Sequence, residues 1–153
     1  MALAHDVARP DYRYDFAAWL ADQSAALCAG RWADLDIEHI TEELDGLGIS
    51  QRHAIKSQLE RMQLHLLKQA YQPERESDSW RRSIRDALIE IEKVLDDSPS
   101  LRREMPDFIA AAYQTARKKA SNETDRPIAT FPAIPTPEFE QALSAALAGA
   151  DAN

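Results

Sequence analysis

The stretch SQRHAIKSQLERMQLHLLKQAYQP, residues 50–73, decides the fold. Ile55, Leu59, Met62, Leu66 and Ala70 recur at helical spacing and make one apolar stripe, while Leu64, Leu67 and Tyr71 make a second on nearly the opposite side. A helix apolar on two sides packs against more than one neighbour. The spacing therefore predicts a long central helix over about 50–71, with Ser50 as its cap and Pro73 as its stop.

The flanking segments read as shorter helices laid around this one. Upstream, Phe16, Trp19, Leu20 and Leu27 follow a cap at Asp15, and Gly30 closes that helix. A second short helix starts at Asp34 or Asp36, with a buried stripe of Ile37, Ile40, Leu44 and Leu47, and Gly46 and Gly48 mark its end. Downstream, a helix from Asp78 or Ser79 to Asp97 turns Trp80, Ile84, Leu88, Ile91 and Leu95 inward. Pro106 splits a short first turn from the next helix, whose packing face is Phe108, Ile109, Ala112, Tyr113 and Ala116. Pro127, Pro132, Pro135 and Pro137 then crowd together, so residues 122–137 read as an extended arm, with Ile128, Phe131 and Ile134 lying along the bundle. Thr136-Pro137-Glu138 starts a short C-terminal helix carrying Phe139, Ala142, Leu143 and Leu147. The expected architecture is all-α: a single-domain bundle of five to six helices over 14–148, between flexible segments at 1–13 and 149–153.

Composition narrows the function. The 153 residues carry 18 Lys and Arg against 26 Asp and Glu, a net charge of −8, which repels nucleic acid and anionic membrane surfaces. Cys28 is the one cysteine, so no internal disulfide, zinc knuckle or dithiol pair can form. No uninterrupted apolar run reaches membrane-spanning length, and His5, Asp6, Arg9, Asp11 and Arg13 stand where a secretory segment needs apolar residues. The expectation is a cytoplasmic chain with no membrane or nucleic-acid partner.

Candidate chemistry lies on two polar flanks. Gln58, Arg61, His65, Gln69 and Gln72 form a row beside the main stripe of the central helix, and Asp36, His39 and Glu43 line the second helix. Packed antiparallel, the two flanks would face one groove, with Arg81 and Arg85 of the fourth helix reaching Glu43 or an anionic ligand. The plainer reading pairs those arginines with Glu74, Glu76, Asp78 and Asp86, hydrogen-bonds His65 at a core margin and ion-pairs His39 at the surface. Arg117, Lys118 and Lys119 read as charge complementation at a helix C-terminus. No Glu-x-x-His pair, His-x-x-x-His spacing, Gly-x-Ser-x-Gly elbow or Gly-rich phosphate cradle occurs. No metal and no cofactor is therefore expected, catalytic residues stay unassigned, and the balance leans against an enzyme. Two function classes remain: a non-catalytic interaction module, with an unknown protein partner or by self-association, and a ligand- or metal-binding bundle, in the extreme an enzyme, built on Glu43 and His65.

Several blocks resemble the bacterial family known only as domain of unknown function number twenty-nine. They are Asp15-Phe16-Ala17-Ala18-Trp19-Leu20, Gly30-Arg31-Trp32 with Leu35-Asp36, Glu42-Glu43-Leu44 with Leu47-Gly48, and then His65-Leu66-Leu67-Lys68, Tyr71-Gln72-Pro73-Glu74-Arg75, Ser79-Trp80 and Asp97-Ser98-Pro99-Ser100-Leu101. The resemblance implies an all-helical bundle without an assigned activity, cofactor or catalytic residue. It places Glu43, His65, Lys68, Tyr71 and Trp80 in matching blocks and leaves His39 outside them. Gln69-Ala70 stands where the family has an aromatic residue, and Ile134-Pro135-Thr136 where it has Cys-Pro-aromatic.

Overall fold

In the computed structural model, residues 9–149 are described, and the chain divides into two compact units, Met1–Gly48 and Ile49–Asn153. Every regular element among the described residues is helical. Of the expected flexible ends, residues 1–8 and 150–153 lie outside the described part.

The first unit holds α1 (Phe16–Cys28) and the start of α2 (Ile37–Tyr71). Asp15 caps α1, its Oδ1 accepting from the Ala18 amide at 3.0 Å. At the other end Gly30 sits at φ +66°, a backbone region that costs a residue with a Cβ. That turn lets the Gly30 amide reach the Leu27 carbonyl and the Arg31 amide reach that of Ala26, satisfying two carbonyls the helix leaves open. Asp36 starts α2, accepting from the His39 amide.

The expected break at Gly46 and Gly48 does not occur, and the second and central helices are one 35-residue helix. A glycine ends a helix when it takes positive φ; only Gly30 and Gly149 do so here. Inside a helix a glycine costs only about 1 kcal/mol relative to alanine, too little to outweigh the hydrogen bonds on either side. Ser50 consequently lies inside α2 and caps nothing.

A further correction concerns burial in this unit. Only Trp19, Gln23 and Ala26 of α1 are buried, while Phe16, Leu20 and Leu27 are about half exposed. On α2, Ile37, Leu44 and Leu47 are each at least 60% exposed, although their spacing predicts an inward stripe.

The second unit builds its core on the remainder of α2. Most of both expected stripes is buried: Ile55, Leu59 and Met62 are wholly enclosed, with Leu64, Leu66 and Leu67 beside them, while Tyr71 is half-buried and Ala70 exposed. Around them pack α3 (Asp78–Asp97), through Ile84, Ala87, Ile91 and Leu95, and α4 (Met105–Thr124), through Phe108, Ala112, Tyr113, Ala116 and Ala120. Pro106 lies in the first turn of α4, preceded by a 3-10 turn over Pro99–Glu104, as the proline requires. Gln63, wholly buried, donates to the Ile109 carbonyl at 3.1 Å.

The proline arm begins only after Thr124, where Asp125 takes φ 52°, and it contains a 3-10 turn at Ile128–Thr130. Of its three apolar residues only Phe131 is buried; Ile128 and Ile134 remain exposed. Backbone carbonyls hold the arm instead. The Tyr113 hydroxyl donates to the Pro132 carbonyl (2.9 Å), Gln114 to that of Ala133 (2.9 Å) and Arg117 Nε to that of Phe131 (2.7 Å). Arg117 thus clamps the arm and does not complement a helix end, because α4 continues past it to Thr124. Finally α5 (Pro137–Leu147) starts as expected, with Thr136 Oγ1 accepting from the Phe139 amide.

Leu59→Ala should lower unfolding free energy by about 2–5 kcal/mol in urea titration, through lost burial and the cavity left behind. Gly46→Ala should raise it by about 1 kcal/mol, because the added Cβ meets nothing within 4 Å and α2 gains helix propensity.

Candidate functional site

The two polar flanks lie on one helix, so the groove between antiparallel helices does not form. Each flank is described within its own unit.

In the first unit, Asp36, His39 and Glu43 are brought together with three residues that spacing alone did not single out. Asp36 Oδ2 accepts from Trp19 Nε1 at 3.2 Å and shares a hydrogen bond with His39 Nδ1 at 2.7 Å. The Asp36 amide donates to Gln23 Oε1 at 2.7 Å. The Tyr12 hydroxyl donates to Glu43 Oε1 at 2.6 Å, and its ring stacks on His39 with centroids 4.1 Å apart. Asp36, at the start of α2, therefore meets the middle of α1, while Glu43, two turns on, meets Tyr12 ahead of α1. The two helices run antiparallel as a hairpin.

Electrostatics within the cluster are mutual. The hydrogen bond that His39 donates to Asp36 raises the His39 pKa above its ordinary 6.5, with Asp36, Glu42 and Glu38 charges adding to the effect. Partial burial pushes the Asp36 carboxyl up, but hydrogen bonds from His39 and Trp19 outweigh it and hold the group below the usual carboxylate range. Acceptance by Glu43 raises the Tyr12 phenol. Asp36, His39, Glu43 and Tyr12 are each engaged by a neighbour, which ties the hairpin together.

In the second unit the row on α2 has a different character. Gln58 Oε1, Arg61 Nε and His65 Nδ1 are buried without hydrogen-bond partners, so His65 is not the satisfied core-margin histidine of the plainer reading. Burial, aided by Lys68, lowers the His65 pKa. Gln58 and Arg61 border a cavity shared with Ser57, Leu64, Lys119, Asn122 and Glu123. Lys68, which the periodicity did not flag, sits 4.6 Å over the Trp80 ring and pairs with Glu123 at 2.8 Å. A cation at this distance from an indole face is attracted by the ring quadrupole.

Gln69 and Arg81 converge on one carboxylate, Glu76, at 3.3 and 2.8 Å, and Arg81 also pairs with Asp78. Arg81 is therefore engaged by acids just ahead of it in sequence. Arg85 is exposed on α3. Among the described residues no three His, Cys, Asp or Glu side chains come together as a metal-holding group, and no helix is long and apolar enough to cross a membrane.

The model of the family described as domain of unknown function DUF29 matches residues 12–147. The chain belongs to the DUF29 family. The match starts at Tyr12, so the residue closing the hairpin on Glu43 lies inside the DUF29 region, as do both polar flanks and the proline arm. No curated protein and no solved structure matches the chain. The DUF29 description names no activity.

The two histidines should titrate in opposite directions. His39 binds its proton more tightly folded than unfolded, so its contribution is complete below pH 6.5 and is lost as pH rises through its raised value. His65 prefers the neutral form when folded, so it destabilises as pH falls from 6.5 toward its lowered value. Histidine ring NMR should give a midpoint above 6.5 for His39 and below it for His65. Matching midpoints would contradict both environments.

Proposed function

We propose that this DUF29 chain is a non-catalytic interaction module of the bacterial cytoplasm that docks protein through the apolar side of its first unit. The observation that carries this reading is α1 itself. Its thirteen residues, FAAWLADQSAALC, include a single charge, Asp22, yet only three of them are buried. A helix apolar nearly all round is a buried helix in a finished assembly.

The exposed residues share one side. Seen along the chain, Phe16, Leu20 and Leu27 lie about a quarter turn from the inward face of Trp19, Gln23 and Ala26, and Ile37 and Leu44 lie about a quarter turn in the same sense from the Asp36–Glu43 flank. Because the helices run antiparallel, equal turns bring both sets to the same side of the hairpin. With Leu47 these side chains expose about 550 Å² of apolar surface, as large as the largest patches on ordinary monomers, which are often functional. Glu38, Glu42 and Asp45 follow along the outer edge of α2 and give the patch a polar rim.

A photo-crosslinking amino acid at position 20 or 44, in the chain expressed in its own host, should give discrete protein adducts, while one at the exposed Lys93 should not. Absence of adducts from both positions would remove the docking reading.

A second reading rests on the unpartnered Gln58 Oε1 and Arg61 Nε beside the cavity in the second unit. The Arg61 Nε–H is a charged donor without an acceptor, which a carboxylate or phosphate would satisfy. Millimolar acetate, succinate or inorganic phosphate should then raise the melting temperature by a few degrees in the wild type and not in Arg61→Gln. Equal responses would dismiss an anion site.

A further inference from the structure

We infer that the occupant of the apolar side is a second copy of this chain, two α1–α2 hairpins closing about a two-fold axis into a four-helix bundle. This rests on the docking reading and specifies its partner. Spacing supports it first. Ile37, Ile40, Leu44 and Leu47 step by three, four and three residues along α2, and Phe16, Leu20 and Leu27 step by four and seven along the exposed side of α1. That is the seam of helices packing at shallow angles in bundles, where each knob enters a hole on a facing helix.

The size of the unit supports it next. Among its described residues the first unit buries only Trp19, Gln23 and Ala26, too little to complete a core. Pairing supplies the missing layer. A symmetric pair covering this side buries up to about 1,100 Å², at the level of the roughly 1,000 Å² expected of a specific interface. Self-pairing also suits the surface chemistry, because an isologous contact places like on like and α1 offers almost no charge to repel its copy. Ala17, Ala21, Ser24 and Cys28 continue the exposed side of α1 with small side chains that permit close approach.

The charge of the unit provides a signature. Residues 1–48 carry ten acidic side chains against three basic ones. Two copies therefore repel at long range and attract at contact, and added salt, which screens the first and spares the second, tightens the pair. A basic partner would show the opposite dependence.

Sedimentation of the full chain from about 1 to 100 μM tests the inference. The expected result is a concentration-dependent rise from 17.2 kDa to twice that mass, with the midpoint moving several-fold lower between about 0.05 and 0.5 M NaCl. Leu20→Glu and Leu44→Glu should each weaken the pair at least about tenfold with helical circular dichroism retained, since both sites are already exposed. Ile89→Glu, at an exposed site on α3, should leave it unchanged. A dimer indifferent to both α1 and α2 variants overturns the assignment of the face. A chain that stays monomeric at the highest concentration, while positions 20 and 44 still crosslink a different protein, overturns the second copy and leaves the docking reading standing. A monomer without adducts overturns both.

Discussion

The second unit depends on burying one helix from two sides. Between Ile55 and Leu67, α2 presents Leu59 and Met62 one way and Leu64 and Leu67 the other, and all four are enclosed. No single neighbour can cover such a helix, so α3, α4 and α5 must surround it, and the proline arm must return to bring α5 into place. Gln63, on the same rod, shows how strict this enclosure is. Its buried amide is half satisfied: Nε2 donates to the Ile109 carbonyl of α4, while Oε1 has no hydrogen-bond partner.

The first unit is governed by polar interactions instead. Asp36 collects Trp19, His39 and Gln23 around the start of α2, and Tyr12 bridges to Glu43. Hydrogen bonds around the buried Trp19 define the hairpin, while Phe16, Leu20, Ile37, Leu44 and Leu47 stay exposed. This inverts the usual arrangement of a small helical unit, in which burial supplies stability and polar contacts supply direction. The inversion makes sense when the apolar side belongs to an interface.

Periodicity disclosed the all-α class, the two stripes of the central helix, the caps at Asp15, Asp36 and Thr136, and the turn ahead of Pro106. Each of these is local, set by residues within a few positions of one another. It failed where the outcome depended on context. Gly46 and Gly48 look like stops, but nothing in their immediate sequence says whether they take positive φ. The stripe from Ile37 to Leu47 says that these side chains seek cover, not that the cover lies within the same chain. Among the candidate site residues, Asp36, His39 and Glu43 do meet, and so do Gln69 and Arg81 through Glu76. The partners Tyr12 and Trp19, and the Lys68–Trp80 contact, come from segments whose approach is tertiary and leaves no mark in spacing.

The arm over residues 125–136 illustrates a kind of attachment that places few demands on side-chain identity. Tyr113, Gln114 and Arg117 grip the oxygens of Phe131, Pro132 and Ala133, atoms that every amino acid supplies. Only Phe131 must keep its shape. What α4 recognises here is the path of the main chain. Such a tether is free to diverge in sequence while its route over the protein stays the same.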